Sequence, residues 1–339
     1  MSANSPVPSL GNGVTRPIPR SDYARWLEHL RCDSPGEAGT EFFIDWAGVR
    51  TRVPMLEWAP AELAGQVSTD LPIPDDGYRS EDFEYVALAR SFEQRPTSAY
   101  AIVEVGAAWA PWTVSGLIHA RRLGIPALGV ALEADSRKCA WSMQHAKDNN
   151  LDAILIDEKP SKISKALTRA LGGIRPNDQT MVIVRAAGWV ETTTVSFPDT
   201  GVEDMGTAVQ TNSQWNVDYR GAHLRHSSVP AISLAELLPI LAGPSGFAPT
   251  IDLLHIDVQG VEFELLEPLA GAIQDHTRLM AVGTHSRLNE GLLQDFFLRR
   301  GWGIVIDEPC KAEFVMTHPT LAGFTWQDGM QLWENPFVL

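Results

Sequence analysis

The segment LLHIDVQGVEFELLEPL, residues 253–269, sets one carboxylate, Asp257, among apolar residues at or near the end of a buried strand. An ionised group in such a place is costly unless it is paired or has a chemical role. Gln259-Gly260 makes the turn that follows, and Glu262, Phe263, Leu265 and Leu266 open an amphipathic helix. Further along, AVGTHS puts His285 and Ser286 just past another apolar run. Adjacent strand ends would bring Asp257 and His285 to the same mouth. There a carboxylate that orients or polarises a histidine makes a general base for an alcohol. The bland reading of His285 is a polar loop residue. His255 shares a strand face with Asp257 and could also approach the site, although its simplest reading is a hydrogen-bonded core histidine.

Two further strand ends carry acids. AYAIVEV, residues 99–105, is a buried strand by length and branching; Glu104 lies near its end, and Gly106-Ala107-Ala108-Trp109-Ala110 follow. A single glycine does not meet the dinucleotide fingerprint, although small residues still allow backbone to approach a ligand closely. PALGVAL, residues 126–132, is the next strand and leads into Glu133-Ala134-Asp135. A carboxylate at that point suits bidentate hydrogen bonding to ribose hydroxyls, which favours Glu133. For Asp135 a solvated helix start is the favoured alternative.

The elements that must position these groups alternate. Helices are expected over 82–93, 114–124, 136–149, 161–171, 261–273 and 290–300, and further strands over 181–187, 251–258, 278–284 and 301–307. Strands fed by helices imply a doubly wound, mostly parallel α/β sheet with right-handed crossovers, whose ligands sit beyond the carboxyl ends of the strands. Residues 1–20 read as a loose tail, and 21–80 as a small α+β extension with a helix over 23–31 and a hairpin over 42–53. The long polar stretch from Phe197 to Val229 between two core strands reads as a lid or substrate loop of the main domain, residues 81–339.

The 339 residues are 44% hydrophobic and 20% charged, with a formal net charge of −15. That balance argues against a broad nucleic-acid surface, which a polyanion would find repulsive. No apolar run is long enough to span a membrane. Three widely spaced cysteines, Cys32, Cys139 and Cys310, fit unpaired thiols in a cytoplasmic setting better than a disulfide framework.

VEVGAAWAPWTV, ALEADSRKCAWSMQHAKDN, DYRGA, VPAISLAELL, HIDVQGVEFELL, VGTHSRLNEGLLQDFFLRRGW and DGMQLWENP together resemble the FkbM family of methyltransferases over about residues 83–335. The resemblance implies a class I methyltransferase, Rossmann-like fold, S-adenosylmethionine as cofactor, and O-methylation of a hydroxyl on a sugar, glycan or secondary metabolite. It implies that Glu104, Gly106 and Ala107 line the methionine part of the cofactor and that Glu133 holds the ribose. Ala134 and Asp135 would lie by the adenosine, with Ala187 at the same mouth. Asp257 and Gln259 would sit at the methyl-transfer centre beside His285. The chain departs from the family pattern at Ala108 and Ala110, where relatives carry glycines, at His255 in place of a usual Lys, and at Gln259 in place of a usual Glu. The stretch 151–179 is also longer than usual. A divalent metal held by Asp257, a homo-oligomer and the role of the extension stay open. So do two rival readings, a nicotinamide-dependent oxidoreductase and a non-catalytic binding protein in which Trp109 and Trp112 engage a partner.

Overall fold

The computed structural model describes residues 17–56, 59–73, 77, 80–93, 99–174, 179–202, 204–210, 225–242, 246–313 and 324–338. The N-terminal part holds α1 (Tyr23–Glu28), β1 (Phe42–Ile44), β2 (Arg50–Arg52) and α2 (Asp82–Ser91). There follow β3 (Tyr100–Val105), α3 (Pro111–Arg122), β4 (Ala127–Glu133), α4 (Ser136–Asp148), β5 (Asp152–Ile156), α5 (Pro160–Leu171) and β6 (Gln179–Arg185). Next come β7 (Ala187–Trp189), β8 (Thr193–Asp199), β9 (Arg225–Ser233) and α6 (Leu234–Leu241). The chain continues with β10 (Ile251–Ile256), α7 (Glu262–His276), β11 (Thr277–Thr284), α8 (Arg287–Arg299), β12 (Gly303–Glu308), β13 (Lys311–Ala312), β14 (Thr325–Gln327) and β15 (Gly329–Glu334).

Eight strands form one sheet in the order β12-β15-β11-β10-β3-β4-β6-β5. Neighbours from β11 through to β5 pair in parallel, while β15 runs antiparallel between β11 and β12. The winding reverses between β3 and β10, the switch point at which open α/β sheets bind ligands. This is the doubly wound, Rossmann-like sheet of the class I methyltransferase fold, with its one antiparallel strand inserted near an edge. The apolar runs of the central strands follow from burial on both faces. In β3, Tyr100 and Ile102 pack with α2 and α3 on one side, while Val103 and Val105 pack with α6 and α7 on the other.

Helix α3 begins at Pro111, earlier than the expected 114, because proline at a first helical position loses no hydrogen bond. Strand β5 was absent from the sequence reading. It is a short edge strand with Ile154 and Leu155 exposed, so it lacks the buried apolar run that marks its neighbours. The expected loop between Phe197 and Val229 is a loop only in part. Its ends lie in β8 and β9, which pair antiparallel from Thr193–Ala231 to Asp199–Arg225, and β7 joins them in a three-stranded sheet. These strands bury few side chains, so their polar sequence hid them. Residues 211–224 of that segment, and 1–16 of the expected tail, lie outside the described residues.

The N-terminal hairpin forms as expected and shares the main core. Trp46 meets Tyr85, and Tyr85 meets Trp112, as edge-on rings at 4.6 and 4.9 Å. Arg52 pairs with Asp148 of α4 at 2.7 Å.

The carboxyl ends of β3 and β10 meet closely. Asp257 N donates to Val105 O at 2.9 Å, and a Cβ at position 106 would coincide with the Asp257 carbonyl oxygen. Gly106 also has φ +80°, a left-handed conformation that other residues resist. Gly106→Ala should therefore lower the unfolding free energy by about 2 kcal/mol or more. Urea denaturation measures this, and an unchanged midpoint would contradict the close strand-end contact.

Candidate active site

A cavity of about 390 Å³ opens at the carboxyl ends of β3, β4, β10 and β11. Glu104, Gly106, Ala107, Glu133, Ala134, Ala187, Asp257, Gln259 and His285 all line it. Asp135 does not. Its carboxylate caps α4 by accepting from Arg137 N at 2.8 Å and pairs with the Arg137 guanidinium, the helix-start role foreseen as its alternative. The Asp135 side chain is thus committed to the helix end and to Arg137 and is not among the cavity-lining residues.

Glu104 is buried and accepts from Thr113 N and Thr113 Oγ1, both at 2.7 Å, at the start of α3. Burial, against the pull of nearby His255 and these donors, pushes its carboxyl up to about 7. Glu133 is buried as well. One of its oxygens accepts from Ala108 N and the other from Asp135 N, each at 2.8 Å. Burial raises its pKa, with Lys138 opposing, and each oxygen keeps a lone-pair direction for a further donor.

The turn between Gly106 and α3 keeps its glycine-like shape without the glycines. Ala108 and Ala110 adopt φ +46° and +59°, left-handed conformations that cost an L-residue roughly 1–2 kcal/mol each. Ala108 is held from both sides, through its N–H to Glu133 and its carbonyl to Ser142 Oγ at 2.6 Å. Strain of this kind persists where surrounding bonds over-determine it, and it gathers at functional sites.

Facing this turn stands His285, buried, with Nδ1 2.6 Å from Glu262 Oε1. Glu262 is itself buried at the start of α7 and receives Gly260 N at 2.6 Å and Asn289 Nδ2 at 2.5 Å. On the cavity side, His285 Nε2 lies 3.3 Å from Asp257 Oδ1 and 3.6 Å from Asp328 Oδ2, without a hydrogen bond of good geometry. Burial alone would lower the imidazole pKa, but Glu262, Asp328 and Asp257 outweigh it and raise it to about 10. Asp257 and His285 do meet at the same mouth, and a second acid holds the other ring nitrogen. Glu262 orients the ring, and Asp257 lies at its other edge.

Gln259, in a left-handed conformation at φ +56°, donates from Nε2 to Asp257 Oδ1 at 2.8 Å. A glutamate there could not make that bond while ionised. His255 sits where a lysine is usual. Its Nε2 is 3.2 Å from Glu84 Oε1 and Trp112 stacks obliquely at 5.5 Å, while the residue also lines the cavity, so the core and site readings coincide. Glu84 lines the cavity, and burial, with Asp257 adding repulsion, raises its pKa well above the carboxylate range. Trp109 and Trp112 are both buried and both line the cavity, so packing and lining coincide.

Glu262, Asp328, Glu84 and Lys138 escaped the sequence reading. Glu262 looks like an ordinary acid in a first helical turn, and Asp328 sits in a Asp-Gly turn pair whose composition signals only a turn. Among the described residues no group of three or more His, Cys, Asp or Glu side chains is arranged to hold a metal ion. Likewise no described helix is long and apolar enough to cross a membrane.

No protein-family model matches the chain. A protein of Jannaschia sp. (strain CCS1) named "Putative methyltransferase" is 26% identical over 293 residues, which cover 86% of this chain and 91% of the relative. The chain is thus similar over most of its length to a protein that bears a methyltransferase name. Among solved structures, the METTL16 MTase domain shares 10% identity at a TM-score of 0.35, covering 75% of this chain and 66% of that one. Methyltransferase FkbM from Methylobacillus flagellatus KT shares 11% identity at the same TM-score, over 74% of this chain and 54% of its own. At that TM-score neither likeness carries weight, and the fold assignment rests on the strand order.

His285 should stay protonated well past neutrality. A histidine whose pKa rises on folding stabilises the fold below the unfolded value of about 6.5 and loses that contribution as pH rises through about 10. Nitrogen-15 NMR titration should find the His285 midpoint near the upper value, and in Glu262→Gln at about 8 or lower. Equal midpoints in the two proteins would show that Glu262 does not hold the charge.

Proposed function

We propose that the chain is an S-adenosylmethionine-dependent O-methyltransferase acting on a hydroxyl of a small molecule or glycan. The observation that carries this reading is Glu133. It is a buried carboxylate at the end of β4, fixed by two backbone N–H groups and facing a cavity, which suits the two hydroxyls of a ribose. The other residues fit the same cofactor. Gly106 leaves its backbone open to close approach, Ala107 keeps the turn small, and Ala134 and Ala187 leave a shallow apolar wall. The cavity volume falls within the range of small-molecule sites.

S-adenosylmethionine, when bound, supplies a methyl group on a sulfonium. The chain's own residues hold and deprotonate the acceptor. As the new carbon–oxygen bond forms and the carbon–sulfur bond breaks, the acceptor oxygen becomes a strong acid, and a carboxylate suffices to take its proton. Asp257 fits that role. With its proton retained, His285 serves as the donor that holds the acceptor oxygen, which revises its expected part as the base. Much of the rate comes from the alignment of nucleophile and methyl.

The same Glu133 would suit a nicotinamide cofactor, and ligand binding separates the two readings. Calorimetry should show S-adenosylmethionine but not NAD binding, with Glu133→Ala weakening it by about tenfold or more. His285→Ala should leave cofactor affinity within a few-fold and cut turnover by about a hundredfold. Tight NAD binding, or full turnover without His285, would overturn these assignments.

A further inference from the structure

Beside His285 the cavity presents a pattern of one donor between two acceptors. Nε2 is buried and lacks a hydrogen bond of good geometry, and His285 is one of the residues that line the cavity. Asp257 Oδ1 and Asp328 Oδ2 flank it at 3.3 and 3.6 Å. The two acids come from unrelated parts of the chain, the end of β10 and the turn between β14 and β15. Their convergence on one ring edge is therefore a product of the fold and not of local sequence.

We propose that Asp328 is a specificity-determining residue of the acceptor subsite, which with Asp257 and His285 Nε2 selects an uncharged acceptor bearing two neighbouring hydroxyls. The inference rests on the methyltransferase reading above and extends it to the acceptor. A hydroxyl oxygen accepts from Nε2–H while its own hydrogen goes to one carboxylate; a second hydroxyl beside it donates to the other. An ammonium group has no lone pair for Nε2–H and leaves that buried donor unsatisfied, at a cost. A carboxylate or phosphate group meets repulsion from Asp257 and Asp328, which both line the cavity. Among the described lining residues the single Lys or Arg is Lys138. It lies at the Glu133 side and donates to the Asp204 carbonyl at 2.6 Å. Phe83 and Trp112 add apolar surface to the lining for the carbon frame of such an acceptor.

The test uses the full chain, labelled S-adenosylmethionine and a panel of methyl hexopyranosides: neutral members, their monodeoxy counterparts, 2-amino-2-deoxy members and uronic acids. Transfer should favour a neutral member with paired hydroxyls over the amine, the uronate and at least one monodeoxy counterpart by about tenfold in kcat/KM. Asp328→Ala should raise KM for that neutral member by about tenfold, with kcat and cofactor affinity within about threefold. For the matching monodeoxy acceptor, Asp328→Ala and the unaltered protein should share one KM, because the missing hydroxyl and the missing carboxylate are partners. A variant that merely disturbed the structure would shift both acceptors alike. Cofactor binding without transfer to any neutral member, preference for the amine or uronate, or equal effects of Asp328→Ala on both acceptors would overturn the proposal. Absence of cofactor binding would instead defeat the methyltransferase reading on which it rests.

Discussion

The close contact of β3 and β10 at their carboxyl ends sets the geometry of everything around the cavity. With the Asp257 carbonyl lying where a side chain at position 106 would be, the backbones of two parallel strands converge as far as glycine allows. That convergence aims the Gly106 turn and the Asp257 side chain into the same space. It also lets β11 deliver His285 from the next strand along, since Ile256 and Val282 are register partners. The switch point of a doubly wound sheet is a topological fact, but its width is decided by contacts such as this one.

Charge is arranged around that contact in two tiers. Glu104 and Glu133 are desolvated acids pinned by backbone N–H groups, so their orientation costs nothing further when a ligand arrives. Across the cavity, Glu262 is wholly enclosed and spends its lone pairs on Gly260, Asn289 and His285, which fixes the imidazole ring from behind. The ring then links an inner acid that no solvent reaches to two outer acids that face the cavity. This is an ionic network of the kind whose members are strongly interdependent.

Much of this was legible in the sequence, and the reasons it was or was not are physical. Glu104, Glu133, Asp257 and His285 each follow an apolar run, and a charge at such a boundary stands out. Their convergence then follows from the parallel topology. Glu262 and Asp328 stood in contexts with ready explanations, a helix first turn and a tight turn, so composition hid them. The hairpin of β8 and β9 was hidden because strands that bury few side chains lack an apolar stripe. Ala108 and Ala110 raised the opposite problem. Although neither is glycine, the backbone keeps its left-handed bends under strain, and Glu133 and Ser142 hold the one at Ala108.

The antiparallel strand β15 also bears on how the cavity is completed. It lies between β11 and β12, which precede it in the chain and have no direct pairing with each other. β12 joins the sheet only through residues 329–334, which fill the place between it and β11. Asp328 directly precedes that strand, so the ring of acids around His285 is closed by the same element that closes the sheet. The Asp328 side of the cavity therefore depends on the strand that bridges β11 and β12.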